Sequence, residues 1–417
     1  MIDRKSIPEH WGIEKLRDVC DVVTGTTPPT KELENYGNDI PFVKPPQLLN
    51  KPIIDAPERL STKGAKHARL LPIDSVLVTC IGNLGRTAIN KSIVAFNQQI
   101  NAIVPSVRLD GLFLFYQVQS HKFIDQLNKL VAATTVPIVN KSKFESIQIV
   151  IPPLSEQLRI VSKIEELFSE LDKGKQQLEM VKLQLKTYRQ AVLKWAFEGK
   201  FTNKDVKDGQ LPEGWKSNTL KEITSVLGDG LHGTPKYSSD GEYYFINGNN
   251  LNNGKIKINS ATKQVSFKEF EKYKKPLNDK TILVSINGTI GNTSFYKGEK
   301  VILGKSACYF NVNEGVDKRL IRHFISSQRF IKYANNTATG STIKNVSLKA
   351  MRGLVIPVPC TIKEQEIIVN EIETRLSVCD KIEETINNCL QQSESLRQSV
   401  LKQAFEGKLV KPDENYN

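Results

Sequence analysis

The spacing of apolar residues predicts two long helices. From Ile164 to Trp195 they recur at alternating steps of three and four, with Gly174 filling one position. Such steps, sustained over about four heptads, are typical of a coiled coil. Neither apolar stripe can be buried alone, so we expect the two helices to pack as an antiparallel coiled coil. The contact positions are Ile164, Leu167, Leu171, Leu178, Val181, Leu185, Tyr188, Val192 and Trp195 in one helix, and Ile372, Cys379, Ile382, Ile386, Cys389, Leu396 and Val400 in the other.

Shorter apolar runs and turns fill the remainder of the chain. Residues 75–79 (SVLVT) and 281–285 (TILVS) each contain an uninterrupted apolar run and are followed by Gly-rich turns, a pattern that indicates buried strands. Helical patterns at 112–130 and 318–334 are interspersed with them. These regions are therefore predicted to be α+β.

Local signals mark the ends of these elements. Proline cannot donate to a ladder, so the pairs 152–153 and 357/359 are expected to close the last strand of each α+β region. TIKE at 361–364 is a candidate capping box for the second long helix. Gly199 and Gly407 suit the position just after each helix end.

The sequence contains an internal repeat, with the two copies offset by about 205 residues. VLKWAFEGK at 192–200 returns as VLKQAFEGK at 400–408, and LVTCIGNLG at 77–85 returns as LVSINGTIG at 283–291. PEHW at 8–11 likewise returns as PEGW. The repeat predicts a duplicated domain pair with internal pseudo-two-fold symmetry. The predicted divisions are 1–151 (first α+β domain), 152–200 (first helical region), 201–211 (linker), 212–357 (second α+β domain), 358–409 (second helical region) and 410–417 (tail).

The charge balance favours a polyanionic partner. Lys and Arg total 58 against 45 Asp and Glu, a formal net charge of +13. The excess is concentrated in 51–150 and 251–350, which are corresponding parts of the repeat. Nucleic acid or an anionic membrane surface would suit it. There is no apolar run of ~18 residues and no signal-peptide pattern. Six cysteines without a CxxC pair and five histidines without HExxH argue against zinc. We expect a reduced, soluble, cytoplasmic protein.

Five short motifs together resemble those of one protein family. They are TGTTPP at 24–29, DIPFVKP at 39–45, DGLHGTPKY at 229–237, IPPLSEQ at 151–157 and the repeated FEGK. With the order of the elements, they make the chain similar to the specificity (S) subunit of type I restriction–modification systems. The resemblance covers essentially the whole sequence.

The resemblance implies a non-catalytic DNA-recognition subunit. It implies two target recognition domains, each binding half of an asymmetric double-stranded DNA target, with a fixed spacer between the half-sites. The two helical regions would space these domains and dock two modification (methyltransferase) subunits. Restriction (translocase/endonuclease) subunits would join through the assembled complex. No cofactor of its own is implied: S-adenosylmethionine belongs with the modification subunit, and Mg²⁺ and ATP with the restriction subunit.

Candidate DNA-binding residues are polar side chains in turns at corresponding places of the repeat. Arg and Lys suit guanine, and Asn and Gln suit adenine. In this comparison Gln98 and Gln99 align with Ser306 and Ala307, and 137–140 align with 342–345. The candidates are Thr26, Thr27, Lys44, Gln47, Asn83, Arg86, Gln98, Gln99, Asn140 and Lys141 in the first copy, and His232, Thr234, Lys236, Tyr237, Asn247, Asn249, Asn250, Asn287, Thr289, Asn292, Lys305, Ser306, Thr342, Lys344 and Asn345 in the second.

Three enzymatic motifs are matched only in part. GDGLHG at 228–233 fits GxGxxG, but the following proline argues against the helix that a dinucleotide site needs. The E-x-K patterns at 198–200 and 406–408 fall at helix ends, not on the strand of a metal-dependent nuclease. The proline pairs lack the Asn or Asp of an adenine methyltransferase motif. We therefore expect no catalytic residue and no metal site.

Two other classes of function remain open from sequence. A self-sufficient DNA-modifying or DNA-cleaving enzyme with degenerate motifs would transfer methyl groups or cut without partners. A structural coiled-coil scaffold would show no DNA sequence preference.

Overall fold

The computed structural model describes residues 2–132, 135–207, 209–340 and 343–411. They form two compact units. Unit 1 comprises Met1–Glu179 and Asn387–Asn417, and unit 2 comprises Met180–Ile386. Each unit contains one globular part and a segment of each of two 44-residue helices.

Unit 1 contains the following elements. Its strands are β1 (Gly12–Lys15), β2 (Cys20–Thr24), β3 (Tyr36–Val43), β4 (Lys51–Ile53), β5 (Arg59–Leu60), β6 (Leu70–Leu71), β7 (Val76–Thr79), β8 (Thr87–Asn90), β9 (Val94–Phe96), β10 (Ile100–Pro105) and β11 (Gln148–Ile151). Its helices are α1 (Leu16–Val19), α2 (Thr62–Ala65), α3 (Gly111–Val118), α4 (His121–Lys129), α5 (Lys141–Phe144) and the first part of α6 (Leu154–Phe197), with 3₁₀ turns at Arg4–Ser6, Leu33–Asn35 and Pro45–Gln47.

Two sheets and a strand pair build the globular part of unit 1. The larger sheet has the order β2-β10-β7-β8-β4, and the second has the order β5-β3-β9-β6. Strand β1 pairs antiparallel with β11. Most neighbours are antiparallel, but β3–β9 and β4–β8 are parallel.

Unit 2 repeats this plan. Its strands are β12 (Trp215–Thr219), β13 (Thr224–Gly228), β14 (Tyr243–Ile246), β15 (Leu251–Asn252), β16 (Lys255–Ile256), β17 (Gln264–Val265), β18 (Thr281–Ser285), β19 (Thr293–Phe295), β20 (Val301–Leu303), β21 (Ala307–Val312) and β22 (Val355–Pro359). Its helices are α7 (Phe267–Tyr273), α8 (Lys318–Ile325), α9 (Gln328–Thr337), α10 (Leu348–Arg352) and the first part of α11 (Ile362–Phe405), with a 3₁₀ turn at Gly248–Asn250.

In the described part of the chain, the sheets of unit 2 repeat those of unit 1 except that strands equivalent to β4 and β6 are absent from them, and β15 and β16 form a separate pair. The order β13-β21-β18-β19 corresponds to β2-β10-β7-β8, and β17-β14-β20 corresponds to β5-β3-β9. Strand β12 pairs with β22 as β1 pairs with β11. The parallel pair β14–β20 repeats β3–β9. The α+β class and the internal duplication predicted from the sequence are confirmed.

The continuous apolar runs are strands covered on both faces. Every residue of β7 is buried. Val76 and Val78 pack in the core that contains Phe113 of α3, whereas Leu77 packs in a second core with Phe96. Strand β18 divides its residues between two cores in the same way. A strand with both faces covered needs no polar alternation, which explains the unbroken pattern.

The antiparallel pairing of the long helices is confirmed within each unit. In unit 1, Arg397 of α11 forms an ion pair with Asp172 of α6. In unit 2, Arg189 of α6 lies 2.7 Å from Asp380 of α11. The core of unit 1 contains the start of α6 together with the end of α11, and the core of unit 2 contains the end of α6 together with the start of α11.

The predicted contact stripe is wrong at several positions. At the end of α6, Leu193, Ala196 and Phe197 enter the core of unit 2, and Trp195 is 52% exposed. An α-helix drifts about 20° per heptad from a 3.5-residue repeat, and each helix end packs on a globular core instead of a helix alone. Val181, Ile382 and Leu396 are exposed as well, whereas Tyr188 is partly exposed but accepts a hydrogen bond from Arg375 of α11.

The Glu-Gln dipeptide that opens both long helices makes the same bonds twice. In unit 1, the Gln157 side chain donates to the carbonyl of Pro152, and Glu156 accepts from the Trp11 indole at 3.1 Å. In unit 2, Gln365 donates to Pro359, and Glu364 accepts from the Trp215 indole at 2.9 Å. These bonds join each helix start to its sheet, which explains why both dipeptides and both tryptophans recur in the sequence.

The predicted capping box is half formed. The Glu364 amide donates to the Thr361 hydroxyl at 3.3 Å, so Thr361 caps α11. The Glu364 carboxylate accepts from Trp215, Thr202 and Asn203. The reciprocal bond expected of a box is replaced by this tertiary contact.

Proline closes one terminal strand but not the other. Strand β11 ends at Ile151, immediately before Pro152, as predicted. Strand β22 instead includes Pro357 and Pro359, so the prediction is wrong there. The Cys360 amide donates to Gly214, which directs the alternate residues 357 and 359 away from β12. That edge of the two-stranded sheet is free, and proline is tolerated on a free edge.

Both long helices end at glycines that have a second constraint. Gly199 and Gly407 have φ of +75° and +69°, and the Lys200 amide donates back to Trp195, as in a Schellman motif. A Cβ at Gly199 would lie 2.1 Å from Cγ of Pro212, and one at Gly407 would lie 2.3 Å from Cγ of Pro8. Each glycine therefore allows the left-handed turn and the close approach of the proline.

Replacing these glycines should destabilise the protein. Gly199→Ala and Gly407→Ala should each lower the free energy of unfolding by about 1–2 kcal/mol from backbone strain alone, with the proline clash adding to it. Gly174→Ala is the matched control, because it lies inside α6 with open space around it and should raise stability by about 0.5–1 kcal/mol. Thermal and denaturant unfolding measure both effects. Equal stability of the three variants would contradict the assignment.

Candidate nucleic-acid interface

A tight loop follows each central buried strand. The loops are residues 80–86 in unit 1 and 286–292 in unit 2. The Thr79 hydroxyl donates to the carbonyl of Asn83 at 2.5 Å, and the Ser285 hydroxyl donates to that of Thr289 at 2.5 Å. The last strand residue thus closes each loop. Asn83, Arg86 and Thr289 are exposed at these loops.

A second segment pairs with each loop. In unit 1, the Gly82 amide donates to Pro137 and the Val139 amide to Cys80, both at 2.9 Å. In unit 2, the Gly288 amide donates to Lys344 at 3.2 Å, and the Val346 amide to Ile286 at 2.8 Å. These bonds place 137–140 beside 80–86, and 344–347 beside 286–292.

A third segment completes the arrangement. The Cys80 amide donates to the Gln99 carbonyl at 2.8 Å, and the Ile286 amide to the Ser306 carbonyl at 3.0 Å. Backbone bonds therefore gather three polar segments that are distant in sequence. Each unit carries one such cluster of loops.

The loop contacts correct the alignment between the two copies. Gln98 and Gln99 correspond to Lys305 and Ser306, one residue away from the predicted match. Pro137 corresponds to Lys344, two residues away from it. The same bonds to Cys80 and Ile286 fix both correspondences. Small insertions within the loops shift the offset, and sequence identity there is too low to locate them.

Unit 2 has a cleft where four candidate residues meet. His232, Asn287, Lys305 and Asn345 line a space of about 390 Å³. The same cleft contains Asp229, whose carboxylate lies 2.7 Å from Nε2 of His232. Asp229 is not among the predicted residues, although its spacing of three residues from His232 in DGLHGTPKY is a usable signal in the sequence.

The 3₁₀ turns at Pro45–Gln47 and Gly248–Asn250 are equivalent, as predicted. The Lys44 amide donates to the Gln47 side chain, and the Asn247 amide to that of Asn250, both at 2.9 Å. Asn247 Oδ1 also accepts from the Ser306 hydroxyl. These three side chains hold the turns, which leaves fewer free groups for DNA. Asn249 is exposed.

Several other candidates already have partners inside their units. The Lys44 ammonium pairs with Glu58, and that of Lys141 lies 3.2 Å from Glu145. Asn140 caps α5. The Thr27 hydroxyl bonds to Gln98. The remaining bonds are those of Thr26 to His67, Gln99 to Asn97 and Lys344 to Asn335.

The remaining described candidates of unit 2 do not line the cleft, and one further candidate is outside the described chain. Thr234 and Lys236 are exposed, and the Lys236 amide donates to Glu269 of α7. Tyr237 is 48% exposed and packs at a tilt on Phe245. The Asn292 carbonyl accepts from Ser285. Thr342 lies outside the described residues.

The loop clusters offer hydrogen-bonding groups and positive charge. Burial raises the pKa of the Cys80 thiol to about 12, so this sulfur stays protonated at the start of its loop.

Within the described ranges, no group of three or more His, Cys, Asp or Glu side chains is arranged to hold a metal ion. After the glycines at 228–233, the next helical turn is that at Gly248–Asn250, so the context of a dinucleotide site is not met.

No helix in the described part of the chain is both long and apolar enough to cross a membrane. The 44-residue helices α6 and α11 exceed the necessary length, but charged residues are distributed along them.

Comparison of the sequence with known protein families identifies the class of protein that has this duplicated α+β architecture. Residues 8–180 and 212–392 each match the family described as the type I restriction modification DNA specificity domain. The chain therefore belongs to this family of DNA-specificity components, which are non-catalytic.

Named relatives agree over nearly the full length. The StySPI specificity subunit of Salmonella potsdam is 25% identical, with 98% of this chain and 91% of the relative covered. The EcoKI specificity subunit of Escherichia coli K12 is also 25% identical, with 97% and 90% covered.

Solved structures share the fold. A chain from a study of complex assembly and conformational transition of the type I R-M system is 18% identical, with a TM-score of 0.74 and coverage of 96% of this chain and 99% of that chain. The HsdS subunit from Thermoanaerobacter tengcongensis is 16% identical, with a TM-score of 0.57 and coverage of 96% and 98%.

Lys305 provides a test of the unit 2 cleft. Lys305→Ala should weaken DNA binding by a similar factor for all sequences and lessen the slope of log K against log salt by about 0.9, because one phosphate contact is lost. Lys280→Ala is the control, since its ammonium pairs with Glu314. Fluorescence anisotropy at several salt concentrations measures both. An unchanged slope for Lys305→Ala would exclude this contact.

Proposed function

We propose that this chain recognises a bipartite, asymmetric DNA target within a type I restriction–modification complex. Residues 1–151 and 212–357 act as target recognition domains, each binding one half-site. The helical regions 152–200 and 358–409 set the spacer and dock two modification subunits, with 201–211 as linker and 410–417 as tail. S-adenosylmethionine is bound by the modification subunits, and Mg²⁺ and ATP by restriction subunits. The complex works in the cytoplasm on double-stranded DNA.

One observation carries this proposal: the two units present different chemistry on the same loop scaffold. Gln98 stands where unit 2 has Lys305, and Asn83 stands where it has Thr289, while the backbone bonds around them are the same. Base edges are distinguished by side-chain donors and acceptors. The two units therefore have the same loop backbone but different side chains. This favours recognition of two different half-sites, which together form an asymmetric target.

The long helices support the docking part of the proposal. Leu158 and Leu183 of α6 and Leu396 of α11 are 52%, 66% and 52% exposed. A modification subunit that packs along the helices would bury these side chains, and burial of apolar surface favours association. At ~1.5 Å per residue, 44 residues also span about 66 Å, enough to separate two DNA contacts by several base pairs.

Exchanging one recognition domain tests the bipartite target. Residues 212–357 are replaced by those of a related specificity subunit, and the chain is expressed with its modification subunits. Methylation mapping of the host genome should show one half-site changed, with the other half-site and the spacer retained. The full chain alone with S-adenosylmethionine is the control and should transfer no methyl groups. Simultaneous change of both half-sites would contradict independent recognition.

Charge placed on an exposed helix position tests docking. Leu183→Lys should reduce copurification of the modification subunit by about tenfold, because a charge is then buried in an apolar contact. Leu33→Lys is the control, as Leu33 is 80% exposed outside the long helices. Equal copurification of both variants would place the docking surface elsewhere.

A further inference from the structure

One cross-strand pair differs completely in chemistry between the two units. In unit 1, Ile81 of the 80–86 loop is paired antiparallel with Ile138. In unit 2, the same positions are Asn287 and Asn345, paired in the same way. A hydrophobic pair thus stands where the other unit has two amides.

The backbone brings the two side chains of each pair together. The backbone hydrogen bonds are made by the neighbours of the paired residues. For the pair Asn287–Asn345, the Gly288 amide donates to the Lys344 carbonyl, and the Val346 amide donates to the Ile286 carbonyl. This is the non-hydrogen-bonded type of antiparallel pair, in which the Cα atoms are only about 4.5 Å apart and both side chains leave on one face. Each pair therefore presents a single two-residue surface.

The surroundings indicate that the amide pair faces a ligand. Asn287 and Asn345 both line the unit 2 cleft, beside Lys305, His232 and Asp229. Within the described chain, neither amide side chain forms a hydrogen bond. Both side chains are partly exposed, so a ligand can reach them. The loop is held by its backbone and by Ser285, so these amides are not needed to shape it.

The pair in unit 1 is equally unsuited to a purely structural role. Ile138 is 37% exposed, and Ile81 is only partly buried. An apolar side chain at the surface of a loop cluster costs hydration and adds little to the core. It does suit contact with an apolar group of a ligand.

We infer that this cross-strand pair determines base preference in each unit: Asn287 and Asn345 bind an adenine edge, and Ile81 and Ile138 bind a thymine methyl group. The inference rests on the proposed function. An asparagine amide donates to N7 and accepts from N6 of adenine in the major groove. Isoleucine has no donor or acceptor, but it packs against the C5 methyl group that distinguishes thymine there.

Single-atom changes in DNA test the two contacts. The wild-type chain is assembled with its modification subunits, and the methylated motif is mapped first. Duplexes of that motif then carry 7-deaza-2′-deoxyadenosine at one adenine at a time, or deoxyuridine at one thymidine at a time. Both changes leave base pairing intact. At one position of the unit 2 half-site, the loss of N7 should weaken binding about tenfold. At one position of the other half-site, loss of the methyl group should weaken it a few-fold.

Exchange of the pairs supplies the matched variants. Asn287→Ile/Asn345→Ile should lose sensitivity to 7-deazaadenine at that position, and Ile81→Asn/Ile138→Asn should lose sensitivity to deoxyuridine. Asn345→Asp keeps the side-chain shape but has only acceptors, so the mapped base should change from adenine to cytosine. Asn336→Ile on α9 is the control, as it is exposed and lies outside the cleft lining. Thermal unfolding checks that every variant is folded.

The outcomes separate the inference from the function on which it depends. A folded Asn345→Asp variant with the wild-type motif, or a unit 2 half-site without adenine, would overturn the adenine assignment. A wild-type complex that methylates no bipartite motif would instead overturn the proposed function.

Discussion

The burial of both ends of each long helix is the constraint on which the rest of the structure depends. Ile160 and Ile164 at the start of α6 belong to the core of unit 1, and Phe197 at its end belongs to the core of unit 2. Helix α11 does the same in the opposite order, with Ile368 in one core and Phe405 in the other. Neither globular part has a complete core without both helices. The helices are therefore structural members of each unit as well as connections between sequence repeats.

The same bonds form at both helix starts, which explains why the Glu-Gln dipeptide and the tryptophan occur in both copies. A buried carboxylate such as Glu156 needs a donor, and Trp11 supplies it. Loss of the Glu156 carboxylate leaves the buried Trp11 indole without this acceptor, at a cost of about 1–3 kcal/mol. The side chains of Asn83 and Thr289 carry no such penalty, because each loop is closed by the hydroxyl of Thr79 or Ser285 bonding to the backbone carbonyl of Asn83 or Thr289. Stability thus depends on the side chains at the helix starts and not on those of Asn83 and Thr289.

The candidate interface shows how two kinds of polar residue differ. Gln47, Asn250 and Asn140 use their side chains to hold turns or cap a helix, so they shape the surface. Asn287, Lys305 and Asn345 line an open cleft in unit 2. Both kinds carry the same amide and ammonium groups in the sequence. Only their bonds within each unit separate residues that build the loops from residues available to a ligand.

The sequence by itself determined the class, the duplication and the two helices, because apolar periodicity and the repeated FEGK endings reflect burial and backbone geometry directly. It did not determine the exposure of Trp195, because Leu193, Ala196 and Phe197 are the residues of this helix end that enter the core of unit 2, and Trp195 lies outside it. Nor did it settle the correspondence of Gln98 with Lys305, or the presence of Asp229 beside His232. The correspondence of Gln98 with Lys305 depends on hydrogen bonds between segments far apart in the chain, where short insertions change the spacing. Asp229 and His232 are only three residues apart, but spacing alone does not show that their side chains meet. Tertiary structure alone decides which polar side chains meet.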